Sequence, residues 1–474
     1  MTEDDIRTDD AAREEEAEAA VETIYSDDGA VLDSVVETIR QAIDQQDREI
    51  VQEALEGLHE SEVGDILATI DEGQRDTLVE LAGDAFNFAA LTEVDEAIRL
   101  GIVDNLPNDK VALAVRDLDS DDAVYILEDL ESEEREDILA QIPFQERIRL
   151  RRSLDYPEES AGRRMQTEFI AVPPFWTVGQ TIDYIRAGEG LPDRFTELFT
   201  IDHRFKLAGS LALDTLLRAK RNTVVGDIHA VNSYPVHAEM DQEEAAQLFE
   251  KYDLLSAPVV DENDRLVGVL TIDDVVDVIQ EEASEDILRL AGVGDEELSD
   301  DLLSIAKSRI GWLAVNLGTA ILASLVIGLF DATLESMVAL AILMPIVASM
   351  GGNAGTQTMT VAVRALATRD LDTHNARKII RKELQVGLVN GAAFALLMGV
   401  VTLIWFGEPM LGVIIGVAMI VNMIFAAASG ILIPIALDKL DADPAIASSV
   451  FVTTVTDVVG FFAFLGLASW WFNI

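Results

Sequence analysis

The 474-residue chain contains no cysteine and only five histidines. Without cysteine it forms no disulfide and offers no thiolate to a metal ion. The histidines are scattered, and no two have the spacing that places metal ligands on one helix face, which argues against a zinc or soft-metal catalytic site. No nucleophile–base pair, Walker sequence or metal-hydrolase spacing is present, so we do not expect an enzyme.

Basic residues are also few, because 34 lysines and arginines face 86 acids and the formal net charge is −52. Residues 1–300 hold 75 acidic and 25 basic residues, whereas residues 301–474 hold 11 and 9. So acidic a surface repels phosphate and argues against nucleic-acid binding. It is typical of a protein in concentrated salt, which screens self-repulsion. A halophilic source is therefore a hypothesis, which full stability in dilute buffer would contradict.

The acidic half begins with a segment that lacks periodicity. Residues 1–30 are rich in acids and alanine, and we predict a disordered acidic tail. Residues 31–160 instead show short amphipathic helices: the sequence of residues 65–70 recurs at 137–142 and, more loosely, at 125–130. Each unit is too short to bury its apolar face alone. The pattern therefore predicts an α-superhelical N domain of stacked helices.

A second duplication, at an offset of 59 residues, covers about residues 165–279. Asp202, Leu207, Gly209 and Asp214 of the first copy match Asp261, Leu266, Gly268 and Asp273 of the second. The second copy has a strand–turn–strand–helix pattern. The duplication resembles a pair of CBS domains, which implies tandem α/β domains over residues 161–284. It also implies that Gly268, Thr271 and Asp274 bind the ribose of a nucleotide such as ATP; a turn glycine followed by a helix cap is the alternative.

The helix that follows carries acids on one face. Asp274, Asp277, Glu281 and Glu285 recur at spacings of three, four and four residues, and like charges at these spacings repel one another. A bound Mg²⁺ or Ca²⁺ would relieve this repulsion, because both prefer carboxylate oxygens. A solvated acidic surface explains the same pattern.

Residues 301–474 contain five apolar stretches long enough to cross a bilayer. They are residues 310–330, 336–360, 384–406, 410–437 and 445–472. We expect the glycine-rich residues 351–355 to interrupt the second span. The loop between the second and third spans is rich in arginine and lysine, which places it in the cytoplasm. We therefore predict a multi-pass cell-membrane protein in contact with lipid, with its N-terminal domains cytoplasmic and its C-terminus outside.

The fifth span contains a single charged residue, Asp457. It lies about 18 Å along a helix that starts at residue 445, near the middle of the hydrocarbon. A charge there costs at least ~2.5 kcal/mol, so an acid in this position predicts an ion or proton site.

Three motifs occur in order along the chain. Residues 156–162 read Tyr-Pro-Glu-Glu-Ser-Ala-Gly and precede Met165; residues 351–357 read Gly-Gly-Asn-Ala-Gly-Thr-Gln and follow Pro345; residues 456–460 read Thr-Asp-Val-Val-Gly. With these motifs the chain resembles the MgtE family of Mg²⁺ transporters and channels. The resemblance implies a mostly α homodimer with five membrane helices in residues 309–474, preceded by a connecting (plug) helix over residues 285–308.

The resemblance also implies roles for individual residues. The pore would take Asp457 from each subunit, and the signature of the second membrane helix would comprise Gly351, Gly352, Asn353, Gly355 and Gln357. Regulatory Mg²⁺ would bind Asp253, Asp274, Asp277, Glu282, Glu285 and Asp286. Glu281 is not among the family's positions. The implied activity is Mg²⁺ uptake through a channel that cytosolic Mg²⁺ closes by binding to the N and CBS domains.

Several alternatives stay open at this point. The same aspartate would serve a Co²⁺ or Mn²⁺ carrier or a proton-coupled one, and the CBS pair would serve a membrane-anchored nucleotide sensor that transports nothing. The glycines of the second span either kink that helix or allow close packing.

Overall fold

A computed structural model describes residues 24–26, 30–188, 191–192, 194–231, 233–293, 302–368, 371, 375–440 and 443–473. The predicted acidic tail lies almost wholly outside these residues. The chain divides into two compact units, residues 1–280 and 281–474, and each is described by itself. As predicted, the fold is mostly α, and the strands of the described residues lie in the first unit.

The first unit begins with short helices that share one hydrophobic core. They are α1 (Asp33–Asp44), α2 (Arg48–Leu55), α3 (Glu60–Thr69), α4 (Glu72–Ala82), α5 (Glu96–Asp104), α6 (Asn108–Asp117), α7 (Ser120–Glu128), α8 (Ser132–Gln141) and α9 (Phe144–Leu154). The repeated motifs form this core, because the isoleucine–leucine pairs at 66–67, 126–127 and 138–139 are all buried. The predicted stack of amphipathic helices is therefore confirmed.

Two small sheets of identical topology follow the helices. The described elements are α10 (Ala161–Arg164), β1 (Ala171–Val172), α11 (Val178–Ala187), β2 (Glu197–Ile201), β3 (Leu207–Ala212), α12 (Leu213–Arg218), β4 (Val236–His237), α13 (Gln242–Tyr252), β5 (Ser256–Val260), β6 (Leu266–Thr271) and α14 (Ile272–Ala291). In each sheet the first strand is parallel and the third antiparallel to the second.

The predicted offset of 59 residues recurs in the geometry of the sheets. Thr200 pairs with Gly209 in the first sheet, and Val259 pairs with Gly268 in the second. The turns repeat as well: Phe205 and Asp264 both have a left-handed backbone, with φ of 64° and 60°. Each of these two residues accepts a backbone hydrogen bond from the other copy, at 3.0 and 3.1 Å. The two copies therefore meet through equivalent turns.

The second unit contains five helices long and apolar enough to cross a membrane within the described residues. They are α15 (Leu302–Gly328), α17 (Val338–Ala367), α18 (Ala376–Phe406), α19 (Pro409–Asp438) and α20 (Pro444–Phe472), with the short α16 (Asp331–Ser336) between the first two. Helix α19 is the most buried of the five and packs against α17, α18 and α20. Asp443 caps α20 by accepting a 2.7 Å hydrogen bond from the Ala445 N–H.

One expectation about these helices is wrong. The second span is not interrupted at residues 351–355, because α17 is one continuous helix from Val338 to Ala367. A glycine costs a helix about 1 kcal/mol, but a broken helix in lipid would leave backbone groups unsatisfied at a larger cost. The connecting helix predicted over residues 285–308 stays a prediction: residues 285–291 continue α14, residues 302–307 begin α15, and residues 294–301 lie outside the described residues.

Candidate cation sites

Asp457 lies in α20, of which it is the only ionisable residue. Its side chain is half-buried. The neighbouring Thr454 and Thr456 donate hydrogen bonds to carbonyls of their own helix, at 2.6 and 2.9 Å, and are satisfied without the carboxylate. Within the described residues no hydrogen bond or ion pair engages Asp457. An intramembrane acid without a partner in its own chain fits a surface that faces water or a second subunit.

Helix α17 presents two faces of different character. Gly351, Gly355 and Thr358 are buried inside the bundle, whereas the signature residues Asn353 and Gln357 are exposed. The Asn353 amide is 3.5 Å from the Ser349 hydroxyl, one turn away on the same helix. Exposed amides are costly against lipid, so this face requires a polar environment such as a pore or a subunit interface.

The signature glycines serve packing rather than a break in the helix. A Cβ atom added at Gly355 would lie 2.5 Å from the Val452 side chain of α20, and one at Gly351 would lie 2.1 Å from the Asn422 side chain of α19. Both distances are too short for a real Cβ. Gly352 has open space around it. Of the two explanations for these glycines, close packing therefore accounts for Gly351 and Gly355.

In the first unit, two helix N-termini bring acids together. Asp121 and Asp122 occupy the first turn of α7, and Asp273 and Asp274 occupy the first turn of α14. We call these four residues the acidic junction. Residues 166–168 hold the acidic junction in place. The backbones of Gln166 and Val269 exchange two hydrogen bonds, of 2.8 and 2.9 Å, which join this segment to β6.

The same short segment anchors α7. The Thr167 N–H donates to the Ser120 hydroxyl at 2.7 Å, and the Ser120 N–H donates to the Glu168 carboxylate at 3.3 Å. Ser120 is the first residue of α7, and Val269 lies two residues before the end of β6. Both N-termini are therefore fixed by one stretch of chain, which brings their acids close enough to repel each other.

Burial and repulsion by neighbouring acids perturb the carboxyls of Asp121, Asp122 and Asp274 strongly. Burial, followed by the charge of Asp274, raises the pKa of Asp121 well above its usual value. Burial, followed by nearby acids that include Asp119 and Glu60, raises the pKa of Asp122 to about 7. Burial also raises the pKa of Asp274 to about 7, although a 2.5 Å hydrogen bond from the Thr271 hydroxyl opposes the shift. Protons or a cation would relieve this repulsion.

One carboxylate oxygen of the junction is both buried and without a partner. Asp121 Oδ1 has almost no contact with solvent and makes no hydrogen bond to any residue that the structure describes. In the described residues, no three acids or histidines stand close enough together to form a ready-made metal site. The junction is therefore a set of repelling carboxylates that a divalent ion would have to draw together.

Of the other predicted regulatory residues of the first unit, Asp277 interacts with the acidic junction and Asp253 does not. Burial, followed by Asp273, raises the pKa of Asp277, whereas the charge of Arg164 lowers it. Asp277 in turn raises the pKa of Glu93, for which burial is the larger cause. Asp253 is an exposed residue with a left-handed backbone at the end of α13. Asp274 and Asp277 therefore belong to one electrostatic group, and Asp253 is not part of it on this geometry.

The predicted regulatory residues of the second unit lie around the start of α20. Arg289 forms ion pairs with Glu285 of its own helix and with Asp443, 2.7 Å away. Burial, followed by the charge of Asp443, raises the pKa of Asp286. Glu282 is half-buried one turn earlier. Leu290 packs against Met359, Val363, Ala445 and Val452. The end of α14 is thus bound by charge and by apolar contact to the first turns of α20.

The predicted nucleotide residues have structural contacts. A Cβ atom added at Gly268 would lie 2.5 Å from the Met165 sulfur, so this glycine allows Met165 to pack on β6. The Thr271 hydroxyl is engaged by Asp274 at the start of α14. These contacts fit the alternative of a turn glycine and a helix-start hydrogen bond, and a nucleotide site at these residues stays a prediction.

Sequence reasoning missed several residues of these sites. Asp121, Asp122 and Glu93 of the N domain were not identified, nor were Asp443 and Asn422 of the membrane unit. The available signal for the first two was a pair of acids in the first turn of a predicted helix. In a segment in which one residue in four is acidic, that signal is common.

Five candidate spans in the described residues and a single carboxylate in the last of them fit a multi-pass membrane protein that transports ions. A family model described as "Divalent cation transporter" matches residues 344–467. The "MgtE intracellular N domain" model matches residues 58–159, and a CBS-domain model matches residues 225–281.

The chain belongs to the MgtE family. It is 35% identical over 316 residues to "Magnesium transporter MgtE" of Thermus thermophilus, covering 66% of this chain and 70% of the relative. It is 33% identical over 317 residues to the protein of the same name from Bacillus subtilis, covering 67% and 70%. A solved structure titled as the cytosolic domain of the Mg²⁺ channel MgtE in complex with ATP is 26% identical, with a TM-score of 0.48, covering 51% of this chain and 99% of that chain.

Proposed function

We propose that this protein is a homodimeric Mg²⁺ channel for uptake across the cell membrane. The observation that carries the proposal is Asp457, the single ionisable residue of α20, with no partner in the described part of its own chain. One copy from each subunit would place two carboxylates beside the pore. The exposed amides of Asn353 and Gln357 support a second subunit or a water-filled path beside α17.

Two carboxylates suit the transport of a hydrated ion. Mg²⁺ releases its bound water reluctantly and prefers six oxygen ligands. Two carboxylates therefore attract the ion without replacing its whole hydration shell. At about 5 Å in a water-filled pore, each carboxylate contributes roughly 1.7 kcal/mol of attraction to a divalent ion. Two such groups favour occupancy by roughly 250-fold, which concentrates the ion yet allows it to leave.

The test is Mg²⁺ flux into liposomes that contain the purified protein and a Mg²⁺-sensitive dye. We expect Asp457→Asn to lower the flux at least tenfold while the dimer still forms. Asp438→Asn is the matched control, because Asp438 is an exposed acid at the end of α19 and should tolerate the change. Unchanged flux in Asp457→Asn would refute the proposed pore.

We further propose that cytosolic Mg²⁺ closes the channel. The repelling carboxylates of the acidic junction support this proposal, as do Asp277 and the acids at 282, 285 and 286. At high Mg²⁺ the bound ions would hold the cytosolic domains together and the connecting segment would close the pore; at low Mg²⁺ the repulsion would open it. Moving such an equilibrium from 1:99 to 99:1 takes about 5.5 kcal/mol, so several ions must act together.

We infer the orientation from charge. Arg377, Lys378, Arg381 and Lys382 begin α18, and Arg364 lies in the last turn of α17. By the positive-inside rule this end of the bundle is cytoplasmic, which places the first unit in the cytoplasm and the C-terminus outside. A protease added to sealed cells that removes the first unit would contradict this orientation.

Flux measurements also separate the alternatives. A Co²⁺ or Mn²⁺ carrier would saturate with those ions rather than with Mg²⁺, and a proton-coupled carrier would acidify the liposomes as it transports. A nucleotide sensor without transport would bind ATP through Thr271 and Asp274 and show no flux.

A further inference from the structure

Asn422 is a fully buried amide in the middle of the apolar helix α19. Its Nδ2 donates a 2.9 Å hydrogen bond to the Val347 carbonyl of α17, and its buried Oδ1 has no hydrogen-bond partner among the described residues. Polar side chains inside a membrane bundle are costly and usually join helices or serve the transport path. An apolar residue would fill the same space without leaving an oxygen unsatisfied, so packing alone does not explain Asn422.

Two glycines hold this amide from opposite helices. A Cβ atom added at Gly351 of α17 would lie 2.1 Å from Asn422 Nδ2, and one added at Gly460 of α20 would lie 2.7 Å from the same nitrogen. Either contact alone would be relieved if the side chain swung aside. Because a helix stands close on each side, the amide has no free direction in which to move.

Gly460 connects this contact to the pore candidate. It lies three residues after Asp457 on α20, and at 3.6 residues per turn the two positions are about 60° apart on the helix surface. A change in the spacing between α19 and α20 at Gly460 therefore displaces or rotates Asp457. The hydrogen bond to Val347 fixes the same amide to α17. The Asn422 side chain therefore contacts both α17 and α20 from its place on α19, within one helical turn of Asp457.

We propose that Asn422 is a positioning residue for Asp457: held between Gly351 and Gly460, its amide sets where α20 places the carboxylate beside the transported ion. The proposal rests on the proposed role of Asp457 in the pore. It assigns a joint function to the first glycine of the 351–357 motif and to the glycine of the 456–460 motif, which together form the slot for one side chain.

The experiment measures Mg²⁺ flux into liposomes as a function of Mg²⁺ concentration, together with dimer content and thermal stability. Asn422→Leu keeps the branched shape of the side chain, with methyl groups in place of the amide oxygen and nitrogen, and removes the hydrogen bond. We expect the half-saturating Mg²⁺ concentration to rise at least fivefold, with a lower ratio of Mg²⁺ to Ca²⁺ flux, in a dimer that still forms. Ser429→Ala is the matched control, since this buried hydroxyl of α19 donates to carbonyls of its own helix, at 2.8 and 3.1 Å, and joins no second helix among the described residues.

A size exchange tests the geometry independently of the hydrogen bond. Gly460→Ala alone should impair flux as strongly as Asn422→Leu, because the new methyl group meets the amide. Adding Asn422→Ala to Gly460→Ala removes the clash and should restore at least part of the lost flux. If the double variant is as impaired as the product of the two single effects, or if Asn422→Leu matches the unmodified protein, the proposal is wrong.

The outcomes also separate this proposal from the proposed function. Loss of flux in Asp457→Asn with normal flux in Asn422→Leu and Gly460→Ala would overturn the positioning role alone. Normal flux in Asp457→Asn would overturn the pore assignment and the positioning role with it. Should Asn422→Leu fail to assemble, Asn422→Ala and Gly351→Ala carry the same comparison, and restored flux in their double variant supports the proposal.

Discussion

Raising the pH of Mg²⁺-free protein from about 5.5 to about 8 is expected to loosen the acidic junction between α7 and the start of α14. Burial raises the pKa of Asp122 and Asp274 from 3.8 to about 7. The packed junction therefore binds protons more tightly than the separated helices do. Its stability is full below pH 4, falls as the pH rises toward 7, and stays at its lowest above that value.

The pKa values give the scale of this effect. A carboxyl whose pKa moves from 3.8 to about 7 destabilises the packed state by about 4 kcal/mol when it is ionised, which is roughly 1,000-fold in the equilibrium. The charge of Asp122 contributes to the raised pKa of Asp274, after burial and Asp273, so the two contributions do not simply add. One bound Mg²⁺, at a free concentration 100 times its dissociation constant, stabilises the packed junction by about 2.7 kcal/mol. More than one ion is therefore needed, and the response to Mg²⁺ should be cooperative.

The assay is a distance measurement between two labels in the full-length protein. The chain has no cysteine, so Glu133→Cys on α8 and Glu250→Cys on α13, both exposed, give unique sites for spin labels or dyes. We expect the distance to lengthen or broaden at about pH 8 without Mg²⁺ and to return when Mg²⁺ is added. At about pH 5.5 protons replace the ion, so Mg²⁺ should have little effect.

Neutral variants complete the test. Asp122→Asn with Asp274→Asn should hold the short distance at both pH values without Mg²⁺, whereas Asp109→Asn, an exposed acid on α6, should behave like the unmodified protein. An equal effect of Mg²⁺ on the label distance at both pH values would refute the reasoning. A label distance in the Mg²⁺-free, unmodified junction that does not change with pH would refute it as well.

Two further predictions concern the second unit and the CBS motif. Arg289→Gln removes the cation that joins Glu285 to Asp443. A partly exposed ion pair of this kind is worth about 1 kcal/mol, so the internal Mg²⁺ concentration that half-closes the channel should rise roughly fivefold. Lys439→Gln, at an exposed residue, is the control, and an unchanged closing curve in Arg289→Gln would contradict the prediction. Thr271→Val should weaken ATP binding about tenfold, measured by calorimetry, if the hydroxyl holds a ribose; equal ATP affinity in both proteins would leave Thr271 only its hydrogen bond to Asp274.

Elements that follow from repetition were predictable from the sequence. The isoleucine–leucine pairs of the N domain occupy the same place in each copy of the repeated motif, and each pair is buried in the core. The offset of 59 residues between the CBS copies fixes even the left-handed turns at Phe205 and Asp264. In both cases the same local pattern is repeated, so neighbouring units must bury the same faces.

The continuous helix α17 and the acidic junction could not be predicted in the same way. Gly351 and Gly355 have weak helix propensity, and only the neighbours Asn422 and Val452 show why small residues are needed there. The junction depends on a contact between residues 120 and 167, far apart in sequence. Acidic residues carry little information in a segment that has so many of them, until burial distinguishes Asp121 from the solvated acids.

If cytosolic Mg²⁺ closes the channel as proposed and the protein works in concentrated salt, burial should decide which acids respond to Mg²⁺. At 1 M salt the Debye length is about 3 Å, so repulsion between exposed acids such as Asp253 is largely screened. Asp121 and Asp274 are removed from that screening, and their repulsion persists. On this proposal the exposed excess of charge serves solubility, whereas the few buried carboxylates would set the Mg²⁺ threshold. Removing an exposed acid should therefore shift channel closure in dilute buffer but not in concentrated salt, and removing Asp274 should shift it in both.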